Sequence, residues 1–286
     1  MRGARPFVAL EAAVAATVDP RPGETLVAAV SGGPDSVALA ALLLPAIRAV
    51  GGTLVLAHAN AGLRPGSWQD EAVVLGVGAT LGVRVLARSL PSGLADEARL
   101  RDDRYTALGD VARAVGATRI VTAHHAADQT ETVFLALLRG TGPDGLAGME
   151  RERDLAPGLR LVRPLLGTEP EELAAYALAH HLPYAVDPSN ADPAYRRNAV
   201  RAALASLRPS FPHLDAAVAR CAAILREERA GDDRALARSG LRAAIAAATG
   251  DARDLTHERL DAAARALERG RPGRHFLRRG VELVVE

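Results

Sequence analysis

The chain reads as an α/β protein, a parallel sheet covered on both faces and followed by a small, mainly helical part. Three observations predict this. Short continuous apolar runs alternate with helical periodicity over the first two thirds of the 286 residues. Several of these runs end in polar clusters rich in Gly, Ser, His and Asp. A break at Arg208-Pro209-Ser210-Phe211-Pro212 is then followed by helical pattern alone. Unbroken apolar strands separated by helices argue for a sheet buried on both sides.

In chain order, strands are expected at Thr25–Val30, Thr53–His58, Val83–Ala87, Arg119–Ala123 and Tyr184–Val186. Helices are expected at Ser36–Val50, Trp68–Leu81, Arg101–Val115 and Asp128–Leu138. Thr168 with Glu171 has the spacing of a capping box opening a helix over Pro170–His181. Beyond the break the helical pattern runs to about Gly231 and resumes over Arg234–Ala248 and Thr256–Arg269, and His275–Glu286 ends in a short strand. The expected division is residues 1–209 as a catalytic domain and 210–286 as a small helical one.

Composition narrows the class. Apolar residues make up 49% of the chain, enough for a sizeable core, and the formal net charge is only +1. The distribution says more than the total. Arg196, Arg197, Arg201 and Arg208 lie in a stretch without an acid, and Arg265–Arg279 holds six arginines against Glu268 alone. Such patches suit a docked polyanion, or equally a solvated helix face. The single cysteine, Cys221, excludes an internal disulfide framework and is expected to be a small buried side chain. No long uncharged apolar run marks a membrane span, and Glu11 and Asp19 interrupt any signal-peptide layout, so a cytoplasmic protein without membrane association is expected.

The chemistry concentrates at Ser31-Gly32-Gly33-Pro34-Asp35-Ser36. An apolar strand, a tight glycine loop and a helix start together form a phosphate cradle. A Walker-type loop would continue with Gly-Lys-Ser/Thr, but the chain contains no lysine at all. Asp35 would repel phosphate unless a cation lies between them. Two more polar clusters, His58–Arg64 and His124–Glu131, also follow strands, at the sheet edge where ligands of α/β proteins bind. Asp128 and Glu131 share a helix face, as do Arg101 and Arg104. The plainer readings are helix capping by Asp128 and an exposed ion-pair ladder of Glu97, Arg101 and Asp102. A zinc site at His124-His125 lacks a full tetrahedral set.

These stretches carry a resemblance. Ser31–Ser36 resembles the SGGxDS signature of the PP-loop ATP pyrophosphatases. His124-His125-Ala126-Ala127-Asp128-Gln129-Thr130-Glu131-Thr132 and Arg139-Gly140-Thr141-Gly142-Pro143-Asp144-Gly145-Leu146-Ala147-Gly148-Met149 narrow it to the tRNA(Ile)-lysidine synthases. His58–Arg64, Glu97–Tyr105, Arg163-Pro164-Leu165-Leu166, Asp187–Asn190 and Arg196-Arg197-Asn198 agree with it, so the similarity covers roughly residues 25–205. The resemblance implies an adenine nucleotide alpha hydrolase-like fold and a ligase using ATP and Mg2+. Such a ligase adenylates the wobble cytidine of the CAU-anticodon isoleucine tRNA and then joins free L-lysine to it. Ser31, Gly32, Gly33, Pro34, Asp35, Ser36, His58 and His124 would bind ATP, with Asp35 as the magnesium ligand. Asp35, Arg101, Arg104, Asp128 and Glu131 would be catalytic, and Arg139, Arg196, Arg197 and Arg201 would meet tRNA. A homodimer is left open. Where relatives carry two aspartates before the glutamine, this chain has Ala127. Longer relatives also carry a further domain beyond the small helical one. A PP-loop tRNA thiolase is a competing reading, disfavoured because sulfur transfer calls for reactive cysteines. A small-metabolite PP-loop synthetase would not need the arginine-rich tail, and the intact Asp35 loop speaks against an inactive tRNA-binding protein.

Overall fold

The computed structural model describes residues 7–62, 67–91, 97–185, 196–230, 233–249, 255–278 and 280–285. The chain forms two compact units, Met1–Gly140 with Gly148–Ala219, and Thr141–Ala147 with Arg220–Glu286. The first contains α1 (Val8–Val18), β1 (Thr25–Ala29), α2 (Pro34–Ala49), β2 (Thr53–Asn60), α3 (Ser67–Leu81), β3 (Arg84–Ser89), α4 (Glu97–Ala114), β4 (Arg119–Val121) and α5 (Ala126–Leu138). After the short α6 (Pro143–Leu146), which belongs to the second unit, the first continues with β5 (Glu152–Ala156), β6 (Leu159–Val162), α7 (Pro170–Ala179) and α8 (Arg196–Leu207). No helix among the described residues is long and apolar enough to cross a membrane.

The sheet runs β3-β2-β1-β4-β6-β5, parallel except for the antiparallel edge strand β5. Alternate residues of each strand point to opposite faces, and both faces are buried. Leu26, Ala28, Leu54 and Leu56 pack with α2 and with Leu173 and Tyr176 of α7. Val27, Val55, Ala57, Ile120 and Leu161 pack with Leu108, Val111 and Ala112 of α4. This two-sided burial makes the strands read as continuous apolar runs. Helix α2 lies deepest: Ser36 through Leu44 are all buried, so it is apolar around its whole circumference.

Two expectations for this unit are corrected, and one element is unforeseen. Tyr184 and Ala185 are irregular, and Val186 lies outside the described residues; Ala185 instead donates one backbone hydrogen bond to Gly32 O at 2.9 Å. Thr168 does not cap α7, whose N-cap is Glu169 followed by Pro170. Its carbonyl accepts from Ala126 N at 3.0 Å and so serves the start of α5. The β5–β6 hairpin, turned by Pro157-Gly158 with Gly158 at φ +73°, was not expected. Its outer strand alternates between exposed and half-buried residues and lacks a long apolar run.

The second unit holds most of α9 (Leu214–Ala230), then α10 (Asp233–Thr249), α11 (His257–Glu268) and an antiparallel hairpin of β7 (Gly273–Arg278) and β8 (Val281–Val285). The expected terminal strand is therefore two strands. Its small core gathers Ile245, Leu255, Leu260, Ala263 and Leu277. Buried Arg238 pairs there with Glu227 and, at 2.8 Å, with Asp261. Cys221 is exposed rather than buried: on α9 the inward position falls to its neighbour Ala222, which is fully buried.

Candidate active site

The strand order places the site. Strand β1 connects through α2 to β2 on one side, while β4 lies on its other side. The chain thus leaves the carboxyl ends of β1 and β4 in opposite directions and opens a crevice, the position where ligands of open α/β sheets sit. Ser31–Ser36 follows β1, and His124–Glu131 follows β4.

The loop after β1 is built from backbone. Gly32 has φ +99°, which L side chains rarely adopt, and a Cβ there would lie 3.3 Å from Asp70 O. Gly33 is the N-cap of α2 and Pro34 its first residue, a position where the missing N–H costs nothing. Ser31 N donates to Ser36 Oγ at 3.1 Å, and Ser36 Oγ donates to Gly33 O at 2.9 Å. These bonds fix the turn and direct the first N–H groups of α2 outward, together with the positive end of its dipole. Asp35, in the first turn, keeps its side chain 33% exposed at the rim, open to a ligand.

The segment after β4 is built from charged side chains. His125 is the N-cap of α5, and its backbone N–H donates to Asp128 Oδ2 at 3.1 Å. Its Nε2 stands 3.4 Å from Asp128 Oδ2 and 3.6 Å from Asp35 Oδ2, so the ring bridges the two segments. Burial disfavours the imidazolium, but the nearby carboxylates of Asp35, Asp128 and Glu131 outweigh it and raise the His125 pKa above 6.5. His124 is the opposite case. Burial, with Arg163, Arg197 and Arg101 overcoming the pull of Asp128, lowers it to about 3, so it is neutral. Its Nδ1 lies 2.9 Å from Thr122 Oγ1. Burial raises the Asp128 pKa, but the charges of His125 and Arg197 and the backbone N–H of His125 overcome this and lower it below 3.8.

Helix α8 closes this side. Arg197 donates from Nε to Glu131 Oε2 at 2.6 Å and from Nη2 to Asp128 Oδ1 at 2.8 Å. Arg201 donates from Nε to Glu131 Oε1 at 2.6 Å and from Nη2 to Glu131 Oε2 at 3.2 Å. Glu131 is only 2% exposed, which such pairing makes tolerable. Arg197 and Arg201, expected on tRNA phosphate, thus turn to the carboxylates of α5. A buried carboxylate offers a guanidinium a stronger partner than solvent does. Of the same set, Arg139 ends α5 and Arg196 begins α8, and both are exposed.

The remaining expected residues surround these two segments. His58 is buried at the carboxyl end of β2, with Nδ1 2.8 Å from Val30 O and Nε2 without a protein partner. Arg101 is half-buried and lies 5.3 Å over the ring of Tyr105, while Arg104 is exposed. The side chain of Glu97 is outside the described residues. Among the described residues no three His, Cys, Asp or Glu side chains form a metal cage.

Several members of the site carry no signal in residue spacing. His125 was noticed only as half of a pair, yet it joins Asp35 to Asp128. Arg163, at the carboxyl end of β6, is buried and donates to Glu150 O at 2.7 Å. Arg153 lies 5.2 Å from the same ring. Burial raises the Tyr105 phenol, but the charges of Arg101, Arg163 and Arg153 prevail and lower it below 10. Gln129, 1% exposed, accepts from Met149 N at 2.7 Å and donates to Met149 O at 3.0 Å. A Cβ on Gly148, at φ +65°, would lie 2.9 Å from Gln129 Oε1. The Gln129–Gly148 spacing was visible in the two motifs, but their pairing was not.

Comparison with known proteins identifies the family. The family model described as a PP-loop domain matches residues 7–208. The chain is 42% identical over 212 residues to the tRNA(Ile)-lysidine synthase of Gloeobacter violaceus, covering 72% of this chain and 64% of that protein. To the enzyme of the same name from Thermus thermophilus it is 43% identical over 215 residues, covering 72% of this chain and 40% of the relative. The chain therefore spans about half the length of the curated relatives it matches. The U34-tRNA thiolase NcsA from Methanococcus maripaludis superposes with TM-score 0.63 at 17% identity, covering 74% of this chain and 76% of that one, which shows a common fold. With its glycine loop and α5 segment at the switch point of a parallel sheet, and with that family model covering most of its length, the chain belongs to the PP-loop family.

Proposed function

We propose that this protein ligates L-lysine to the wobble cytidine of the CAU-anticodon isoleucine tRNA at the expense of ATP. The observation that carries the reading is the convergence of the Ser31–Ser36 loop with His125, Asp128 and Glu131 at one sheet switch point. Similarity of 39–45% to several tRNA(Ile)-lysidine synthases supports it.

The backbone N–H groups of Ser31–Ser36 and the dipole of α2 hold the phosphates of ATP, and His58 and His124 line the nucleotide. Asp35 fits magnesium because such ions take one or two carboxylates plus phosphate oxygens and water, not an all-protein cage, and its carboxylate is open at the rim. When bound, Mg2+ neutralises charge on the departing pyrophosphate. Arg101 and Arg104 stabilise charge developing on the α-phosphate as the cytosine 2-carbonyl oxygen attacks it. Asp128 and Glu131 form the acidic wall that receives the amine of lysine, which then attacks the activated carbon and expels AMP. Unstacking of the anticodon base exposes it to the pocket. Arg139 and Arg196 contact tRNA phosphate, and residues 210–286 act as a tRNA-binding domain. The protein works in the cytoplasm.

The test is ATP-dependent incorporation of labelled lysine into an isoleucine tRNA transcript with a CAU anticodon. Incorporation dependent on ATP and on that anticodon is expected; pyrophosphate release on another substrate, with no lysine transferred, overturns the reading.

A further inference from the structure

Asp128 and Glu131 are ion-paired before any substrate arrives, and His125 Nε2 also stands 3.4 Å from Asp128 Oδ2. Two carboxylates face two guanidiniums, Arg197 and Arg201. The bonds are not equivalent. Arg201 reaches both oxygens of Glu131, so that carboxylate is matched without further help. Arg197 divides itself, with Nε on Glu131 and Nη2 on Asp128 Oδ1. The other Asp128 oxygen accepts from the His125 backbone N–H. Asp128 Oδ1 is thus the point where one bond can be exchanged while Glu131 stays paired and α5 stays capped.

We propose that Arg197 is a latch on the amine site: its Nη2 fills Asp128 Oδ1 in the free protein, and the substrate's ammonium displaces it while Nε remains on Glu131. This rests on the reading that Asp128 receives the amine. The exchange strands no buried charge, because the displaced guanidinium keeps Glu131 as its partner. Helix α8 does not need the Asp128 bond to stay docked, since Val200 and Leu204 bury their side chains and Arg201 holds Glu131 independently. The latch also serves specificity. Two open carboxylates would collect any small cation, whereas a pre-paired site yields only to a ligand that recovers more elsewhere. Apparent affinity for the amine is then reduced by the fraction of protein in which the latch is closed. Arg197 is a positioning residue in this scheme, acting through Asp128.

The experiment compares the full chain with Arg197→Gln and Arg197→Lys in the lysine-incorporation assay, varying lysine and ATP separately. For Arg197→Gln the KM for lysine should fall about fivefold or more, with no parallel fall in the KM for ATP. Arg197→Lys should lie between, since an ammonium cannot bridge two carboxylates as a guanidinium does. A KM for lysine that is unchanged or raised in both variants overturns the latch and makes Arg197 a brace for Glu131. So does loss of all turnover in variants whose thermal melts match the parent. If the parent itself transfers no lysine, the functional reading fails, and calorimetric titration with L-lysine decides the latch alone: tighter binding to Arg197→Gln upholds it, and equal or weaker binding ends it.

Discussion

The loop after β1 and the segment after β4 lie on the two sides of one crevice, and both open a helix, yet they are built differently. The first relies on backbone: a positive-φ glycine, an N-cap glycine, a proline at the first helical position and two serine hydroxyls. All its parts come from six consecutive residues. The second relies on charge, and its charges are completed from far away: Arg197 and Arg201 reach Glu131 across 66 and 70 positions of sequence. A locally built element keeps its shape when its surroundings change, whereas a charge cluster depends on partners brought from elsewhere in the chain, above all on the carboxylate they share.

This contrast orders the expected effects. Asp35→Ala removes a rim carboxylate that the loop does not need for its shape. Turnover should fall by about 10³-fold or more while the melting temperature stays near that of the parent; near-normal activity would remove Asp35 from the mechanism. Glu131→Ala should differ in also unfolding the protein more readily. It leaves two guanidiniums without their shared partner, at a cost of about 3 kcal/mol, the low end for a broken buried pair because the Arg201 side chain remains 39% exposed. Urea titration measures this, and a loss under about 1 kcal/mol would show the cluster to be dispensable for folding. Gly148→Ala meets both a positive φ and the Gln129 amide, so about 1–2 kcal/mol should be lost. Adding Gln129→Ala should return part of it, and strictly additive losses would exclude the clash as the cause.

The smallest effect concerns pH. The His125 pKa is raised on folding, so its contribution is fully present below 6.5 and is lost as pH rises through the folded value. The stability of the parent should therefore decline above pH 6.5 more steeply than that of His125→Asn, read from denaturation midpoints across that range. Parallel slopes would mean that His125 does not link the two segments electrostatically.

The same contrast explains what could be read in advance. Strands β1 to β4 are legible because two buried faces force continuous apolar runs, and the Ser31–Ser36 loop because its glycines answer to local geometry. The β5–β6 hairpin escaped because Arg153 and Asp154 on an exposed edge need no apolar run. Thr168 was misassigned because its spacing to Glu171 matches a cap, while in three dimensions its carbonyl serves α5. That Arg197 and Arg201 pair with α5 could not be read in advance, because a basic stretch without acids carries no mark of a carboxylate on another helix.

The sequence by itself determined the layered parallel sheet and the tight glycine turn of Ser31–Ser36, and it marked the carboxylates near that turn as candidates, since each depends on periodicity or on neighbouring residues. Only the tertiary structure decided that His125 spans Asp35 and Asp128, that Gln129 clamps Met149 beside Gly148, and that Glu131 is held by α8. Electrostatic pairing and close packing act through space over a few ångströms, and chain order does not record which distant residues come that close.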